Sequence, residues 1–218
     1  MKNLASAIFV ERPGENLDWV IYALFFSMLL VAAGRMLFSN NFQALGNLER
    51  FVEVNDNQGI FSLSFQIVFS VLAAALLVPY LVPDYDFVFY TPALKMLAMA
   101  VIILLFFVLK HLFNSLGIFA FKIPFDQNLN FRSTSYYRVY SVIILWITVL
   151  LYYFSGWPKS AILIICVFIL LIIRLLQIGY KFQNQQEEQT KIWYYNILYL
   201  CALEILPLLV LFKFLTVW

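Results

Sequence analysis

The chain has 218 residues, of which 64% are hydrophobic, 19% aromatic and only 12% charged, with a formal net charge of +2. A water-soluble domain of this length needs many more charges to cover its surface, so composition excludes an ordinary soluble globular protein. The small net charge gives no basis for binding nucleic acid, and two cysteines, Cys166 and Cys201, both inside apolar runs, exclude a disulfide framework or a zinc site.

Residues 1–16 carry Lys2 and a short apolar stretch from Leu4 to Val10, stopped at once by Glu11 and Arg12. That is not the pattern of a cleaved signal peptide, so the first long apolar run is read as a retained transmembrane helix. Crossing about 30 Å of hydrocarbon takes about 20 helical residues. Runs bounded by charges, prolines and polar clusters then predict six spans, near 17–38, 60–82, 93–113, 137–154, 159–180 and 192–214. The whole of 1–218 reads as one integral membrane domain of the all-α class, a polytopic helical bundle with interfacial amphipathic segments.

Three connections have character. Between the first two spans, Phe38, Phe42, Leu45, Leu48 and Phe51 recur at helical spacing, which predicts an amphipathic segment in the headgroup plane. Residues 114–132 mix phenylalanines with Lys122, Pro124 and Arg132 and read as interfacial. Gly156-Trp157-Pro158 predicts a tight turn between the fourth and fifth spans. The connections after the first, third and fifth spans collect nine basic residues against five on the other side. The positive-inside rule therefore predicts a multi-pass protein of a bacterial inner membrane, with both termini periplasmic.

Charges within the spans are few, and each is a candidate site. Glu204 lies about twelve residues into the sixth run, roughly 18 Å deep at 1.5 Å per residue. An ionisable group at that depth is costly to insert and marks function or helix packing. Pro207, three residues on, removes a helical hydrogen bond and frees a carbonyl near residue 203, making a polar notch with Glu204. Arg174 is the first candidate cation for Glu204 and Lys95 the second. Snorkelling of Arg174 towards the headgroups is the alternative. Lys110, His111, Arg132 and Arg138 form a candidate lipid-phosphate cluster near the cytoplasmic surface, with ordinary positive-inside anchoring as the alternative.

The segment 198–208, LYLCALEILPL, with LFSNNFQ at 37–43, resembles an uncharacterised family of polytopic inner-membrane proteins from Bacteroidota that carries a domain-of-unknown-function label. Lys95 at the start of the third span and Gly117-Ile118-Phe119 after it fit the same resemblance. It covers most of the chain, and LEILP is its most specific element. The resemblance implies location and span number and transfers no catalytic residue.

Three functions are weighed. The chain reads first as a non-enzymatic subunit, assembly factor or scaffold of a membrane complex, with membrane lipids and other membrane proteins as partners. The alternative is a small transporter or proton-linked carrier using Glu204, since interrupted helices near a midplane carboxylate serve such carriers. A lipid-modifying enzyme is disfavoured, because neither a GxSxG elbow nor a cluster with metal-ligand spacing occurs. No catalytic residue, metal ligand or cofactor is assigned.

Overall fold

A computed structural model describes residues 17–54, 57–80, 91–121 and 127–185. They form helices α1 (Asp18–Leu37), α2 (Ser39–Ala44), α3 (Leu48–Glu53), α4 (Gln58–Leu77), α5 (Pro92–Phe121), α6 (Gln127–Phe154) and α7 (Lys159–Gln185). Hydrocarbon supplies no hydrogen bonds to a backbone, so apolar runs of this length must satisfy their peptide groups as helices. Five of the helices are long and apolar enough to cross a membrane, over Asp18–Leu37, Gln58–Tyr80, Pro92–Leu112, Phe131–Phe154 and Lys159–Tyr180. These answer the first five predicted spans, and the fifth matches end for end. The predicted sixth span, 192–214, lies outside the described residues.

α4 is the central element. It packs against α1, α5 and α6, while α7 packs on α6 and the short α3 lies across α6 as well. Half of the apolar window of α4 is buried, against 17% for α5 and for α7. The outer faces of α5 and α7 are correspondingly aliphatic, with Leu97, Ile102, Leu105, Phe168, Leu171 and Leu175 exposed. α4 and α6 run parallel, and α7 returns antiparallel to α6.

Two features depart from the sequence reading. α6 begins at Gln127, ten residues before the predicted span, because its first three turns are polar. Hydropathy marks where a helix becomes oily, whereas the helix itself continues into the polar layer. Similarly, α5 runs on to Phe121 through part of the stretch read as an interfacial connection.

The amphipathic segment after α1 does form helices, α2 and α3, and turns its apolar face onto the bundle. Asn47 caps α3 by accepting from the Glu49 N–H at 2.9 Å. Asn57, in the left-handed region at φ 38°, makes the corner into α4. Gln58 then reaches back, its Nε2 donating to the Phe51 carbonyl at 3.2 Å and to that of Val54, two acceptors that the end of α3 leaves open. The result is an aromatic plug. Phe51 and Phe61 are fully buried with ring centroids 5.8 Å apart, and Phe38, Phe42 and Phe65 pack edge-on or tilted around Phe61.

Truncating the plug should therefore loosen the whole bundle. Phe61→Ala is expected to cost about 3 kcal/mol, the low end for such a substitution because lipid tails can solvate what opens. Exposed Phe168→Ala should cost under about 0.5 kcal/mol. Unfolding of the two variants in mixed micelles of increasing denaturing detergent tests the contrast, and equal losses would refute it.

Candidate functional site

The two ends of the bundle are chemically different. At one end lie Trp19, Tyr80, Tyr152, Tyr153, Lys95 and Lys159; at the other lie Arg35, Arg50, Lys110, Arg132, Arg138, Arg174 and Lys181. The tyrosine end is stitched by rings and hydroxyls. Tyr153 donates to the Ala75 carbonyl at 2.7 Å and meets Trp19 edge-on at 5.6 Å. Tyr152 donates to the Tyr80 hydroxyl at 3.4 Å, and Lys159 stands 5.5 Å from its ring centroid.

At the arginine end, the polar start of α6 acts as a comb of donors. Arg132 Nη1 donates to the Val52 carbonyl at 2.5 Å, and Tyr140 donates to the Leu45 carbonyl at 2.8 Å. Both acceptors belong to the last turns of α2 and α3, where carbonyls lack helical partners and the helix dipole is negative. Two residues beyond Arg132, Thr134 accepts from the Gln177 Nε2 at 2.9 Å. Gln177 is only 2% exposed. This bond fixes the register of the antiparallel pair α6 and α7.

Arg138 is the pivot of this end. Its Nη1 donates to the Ser62 hydroxyl at 2.8 Å, to Gln66 Oε1 at 3.1 Å and to the Ser62 carbonyl at 3.3 Å. Its guanidinium carbon stands 5.8 Å from the centroid of the Phe107 ring of α5. One arginine thus ties α6 to α4 and α5. The register set by Thr134 and Gln177 places residue 138 of α6 beside residues 173 and 174 of α7. Arg174 is close enough to act on Arg138 electrostatically, and its own Nη1 donates to Gln177 Oε1 at 2.5 Å. Counting from Phe131 and from Tyr180, the two arginines lie about 10 Å and about 9 Å into their spans. They occupy one level.

The structure sorts the predicted site residues accordingly. Arg174 meets the α6 polar layer through Gln177. Lys95 stands in the first turn of α5, at the opposite end from Arg174. His111 approaches the start of α6, with its ring 6.1 Å from that of Phe131. Arg132 turns to the Val52 carbonyl and Arg138 to Ser62 and Gln66. Glu204 and Pro207 lie outside the described residues. Cys166 is buried in the core as a small apolar residue, and Cys201 lies outside the described residues.

Sequence reasoning missed Ser62, Gln66, Thr134 and Gln177. The available signal was periodicity: Gln177 follows Arg174 by three residues and Gln66 follows Ser62 by four, so each pair shares a helix face. Among the described residues, no group of three or more His, Cys, Asp or Glu side chains gathers to hold a metal. The described carboxylates are Asp18, near the tyrosine end, and the exposed Glu49 and Glu53 of α3. What the arginine level offers chemically is positive charge and N–H donors.

The chain belongs to the family described as Domain of unknown function (DUF4271), whose model matches residues 20–215. No curated protein and no solved structure matches it. The match covers every described helix except the first two residues of α1, so the arginine level belongs to the family domain and not to an appendage of it.

Ser62 accepts from a guanidinium on another helix, whereas Gln177 accepts from Arg174 of its own helix and its bond between helices is to the neutral Thr134, so their losses should differ. Ser62→Ala is expected to destabilise by about 1–2 kcal/mol and Gln177→Leu by about 0.6 kcal/mol, the usual scale for neutral interhelical bonds in membranes. Detergent-unfolding midpoints of the two variants measure this, and a reversed order would contradict the assignment of Arg138 as pivot.

Proposed function

We propose that this family member is a non-enzymatic component of a bacterial inner membrane, serving as subunit, assembly factor or scaffold of a membrane complex. One observation carries the reading. The described interior is filled by the aromatic plug and by Val68, Leu72 and Val149, while the cross-helix polar contacts described above tie helices to one another. Groups used to lock helices together do not line a path for a solute. The resemblance to polytopic proteins of Bacteroidota supports the membrane assigned. The excess of basic residues at the arginine end supports a cytoplasmic position for it, with both termini periplasmic.

Isolation of the native protein from its own membrane in a mild detergent tests this. A defined, stoichiometric protein partner is expected to co-elute and to survive native mass spectrometry. A strictly solitary monomer would count against the proposal.

A second reading is favoured by the level shared by Arg138 and Arg174. A small proton-linked carrier would use Glu204 as its titrating group, with Pro207 opening the helix beside it and Arg174 as counter-charge. At the depths derived above, the carboxylate and the guanidinium are offset by about 8 Å along the membrane normal, near the reach of an arginine side chain. Proton flux into proteoliposomes under an imposed potential is the measurement. Glu204→Gln should abolish a flux that the native sequence supports, and equal flux from both would end this reading.

A further inference from the structure

The hairpin of α2 and α3 is built differently from the rest of the bundle. Each of its helices has six residues, too short to persist without tertiary support. That support comes from other helices. Tyr140 and Arg132 of α6 donate to the carbonyls of Leu45 and Val52, and Gln58 of α4 donates to those of Phe51 and Val54. In all four bonds the hairpin supplies only backbone acceptors. It lies between the spans that end at Leu37 and begin at Gln58. Outside hydrocarbon, water satisfies such carbonyls nearly as well, so these bonds can be exchanged in a way that bonds inside a span cannot.

Both joints of the hairpin interrupt the helical path. At Phe38 (φ −125°, ψ 48°) α1 stops and α2 begins, with no side-chain cap on α2. At Asn57 the backbone enters the left-handed region before α4. This second joint carries a cost when the hairpin is docked. Asparagine tolerates the left-handed region without preferring it. Beside it, Gln58 is only 8% exposed, and its Oε1 is buried with no hydrogen-bond partner among the described residues. A desolvated amide oxygen favours any arrangement that returns it to water. The docked state is held against this by Phe42 and Phe51, the hairpin's share of the plug, packed on Phe61 of α4.

We propose that α2 and α3 form a strap that undocks as a unit about Phe38 and Asn57, while the pair α4 and α6 keeps its register. Undocking draws Phe51 away from Phe61 and Tyr136 and passes the four carbonyls to water. The bonds of Arg138 to Ser62 and of Tyr153 to the Ala75 carbonyl involve no hairpin residue and persist. The inference stands apart from the proposed role in a complex.

Hydrogen–deuterium exchange of the full chain in lipid nanodiscs, resolved by peptide mass spectrometry, tests the strap. The reporting amides are those of α3, where Phe51 donates to the Asn47 carbonyl and Val54 to that of Arg50. Residues 131–138 of α6, at the same end of the bundle, are the reference. Tyr140→Phe removes one docking bond and should quicken strap exchange about fivefold, leaving the reference unchanged. Asn57→Val, which puts a β-branched residue in the left-handed region, should act in the same direction. The native sequence gives an independent reading if a variant fails to assemble. Undocking exposes little surface, so strap exchange should barely respond to small additions of denaturing detergent, whereas exchange of the reference should rise steeply. A parallel rise in both would mean that the hairpin leaves only when the bundle unfolds, and would overturn the proposal. So would variants that quicken strap and reference by one factor, or that quicken neither.

Discussion

An arginine placed inside a membrane span must find acceptors without leaving its helix, and the way Arg138 does so organises one end of this protein. Placing an arginine at a bilayer centre costs about 2.5–3.5 kcal/mol on the insertion scale. Arg138 avoids much of that by standing near the polar boundary and by drawing Ser62 and Gln66 of α4 to itself. The same contacts bring α4, α5 and α6 together. The hydrophobic effect cannot do this inside a bilayer, because lipid tails are as apolar as the side chains they would replace. Helix association must come from close packing and from polar bonds, and here the two are separated along the membrane normal.

Along that axis the described bundle has three layers. Hydroxyls and rings hold the tyrosine end, through Tyr153 on the Ala75 carbonyl and Tyr152 on Tyr80. The middle is van der Waals packing around Val68, Leu72 and Val149. The arginine end combines the aromatic plug with the donors of α6. Because α4 and α6 run parallel, bonds at both ends of the pair clamp one register: Arg138 on Ser62 at one end and Tyr153 on Ala75 at the other. A slide of one helix past the other would break both together. The pair is therefore the rigid spine, and α5 and α7 are attached to it with most of their surface turned outward.

The sequence was informative where hydropathy decides and silent where partners decide. Lys159–Tyr180 was legible to the residue because Pro158 and Lys159 open it and the apolar run is unbroken up to Arg174. The start of α6 was not, because hydropathy does not register what its polar side chains do: Arg132 finds an acceptor on α3 and Arg138 finds acceptors on α4. The spacing of Phe38, Phe42, Leu45, Leu48 and Phe51 correctly indicated helix, yet an apolar face fits a membrane surface and a protein surface equally well. Only the position of Phe51 beneath Tyr136, with ring centroids 5.5 Å apart, distinguishes them. Arg174 stood out as a lone charge in a span. Its neighbours Gln177 and Thr134 did not, since an uncharged polar residue in an apolar run becomes meaningful only once the register of two helices is known.

That difference bears on how the arginine level should be understood. Arg138 concentrates its three bonds on a single nitrogen and faces the Phe107 ring, so one side chain ties α6 to α4 and α5. Snorkelling would draw an arginine at this depth towards the headgroups and away from Ser62 and Gln66. The bonds to α4 hold it against that pull, which is why the level is fixed by partners on a neighbouring helix and could not be placed from the charge alone.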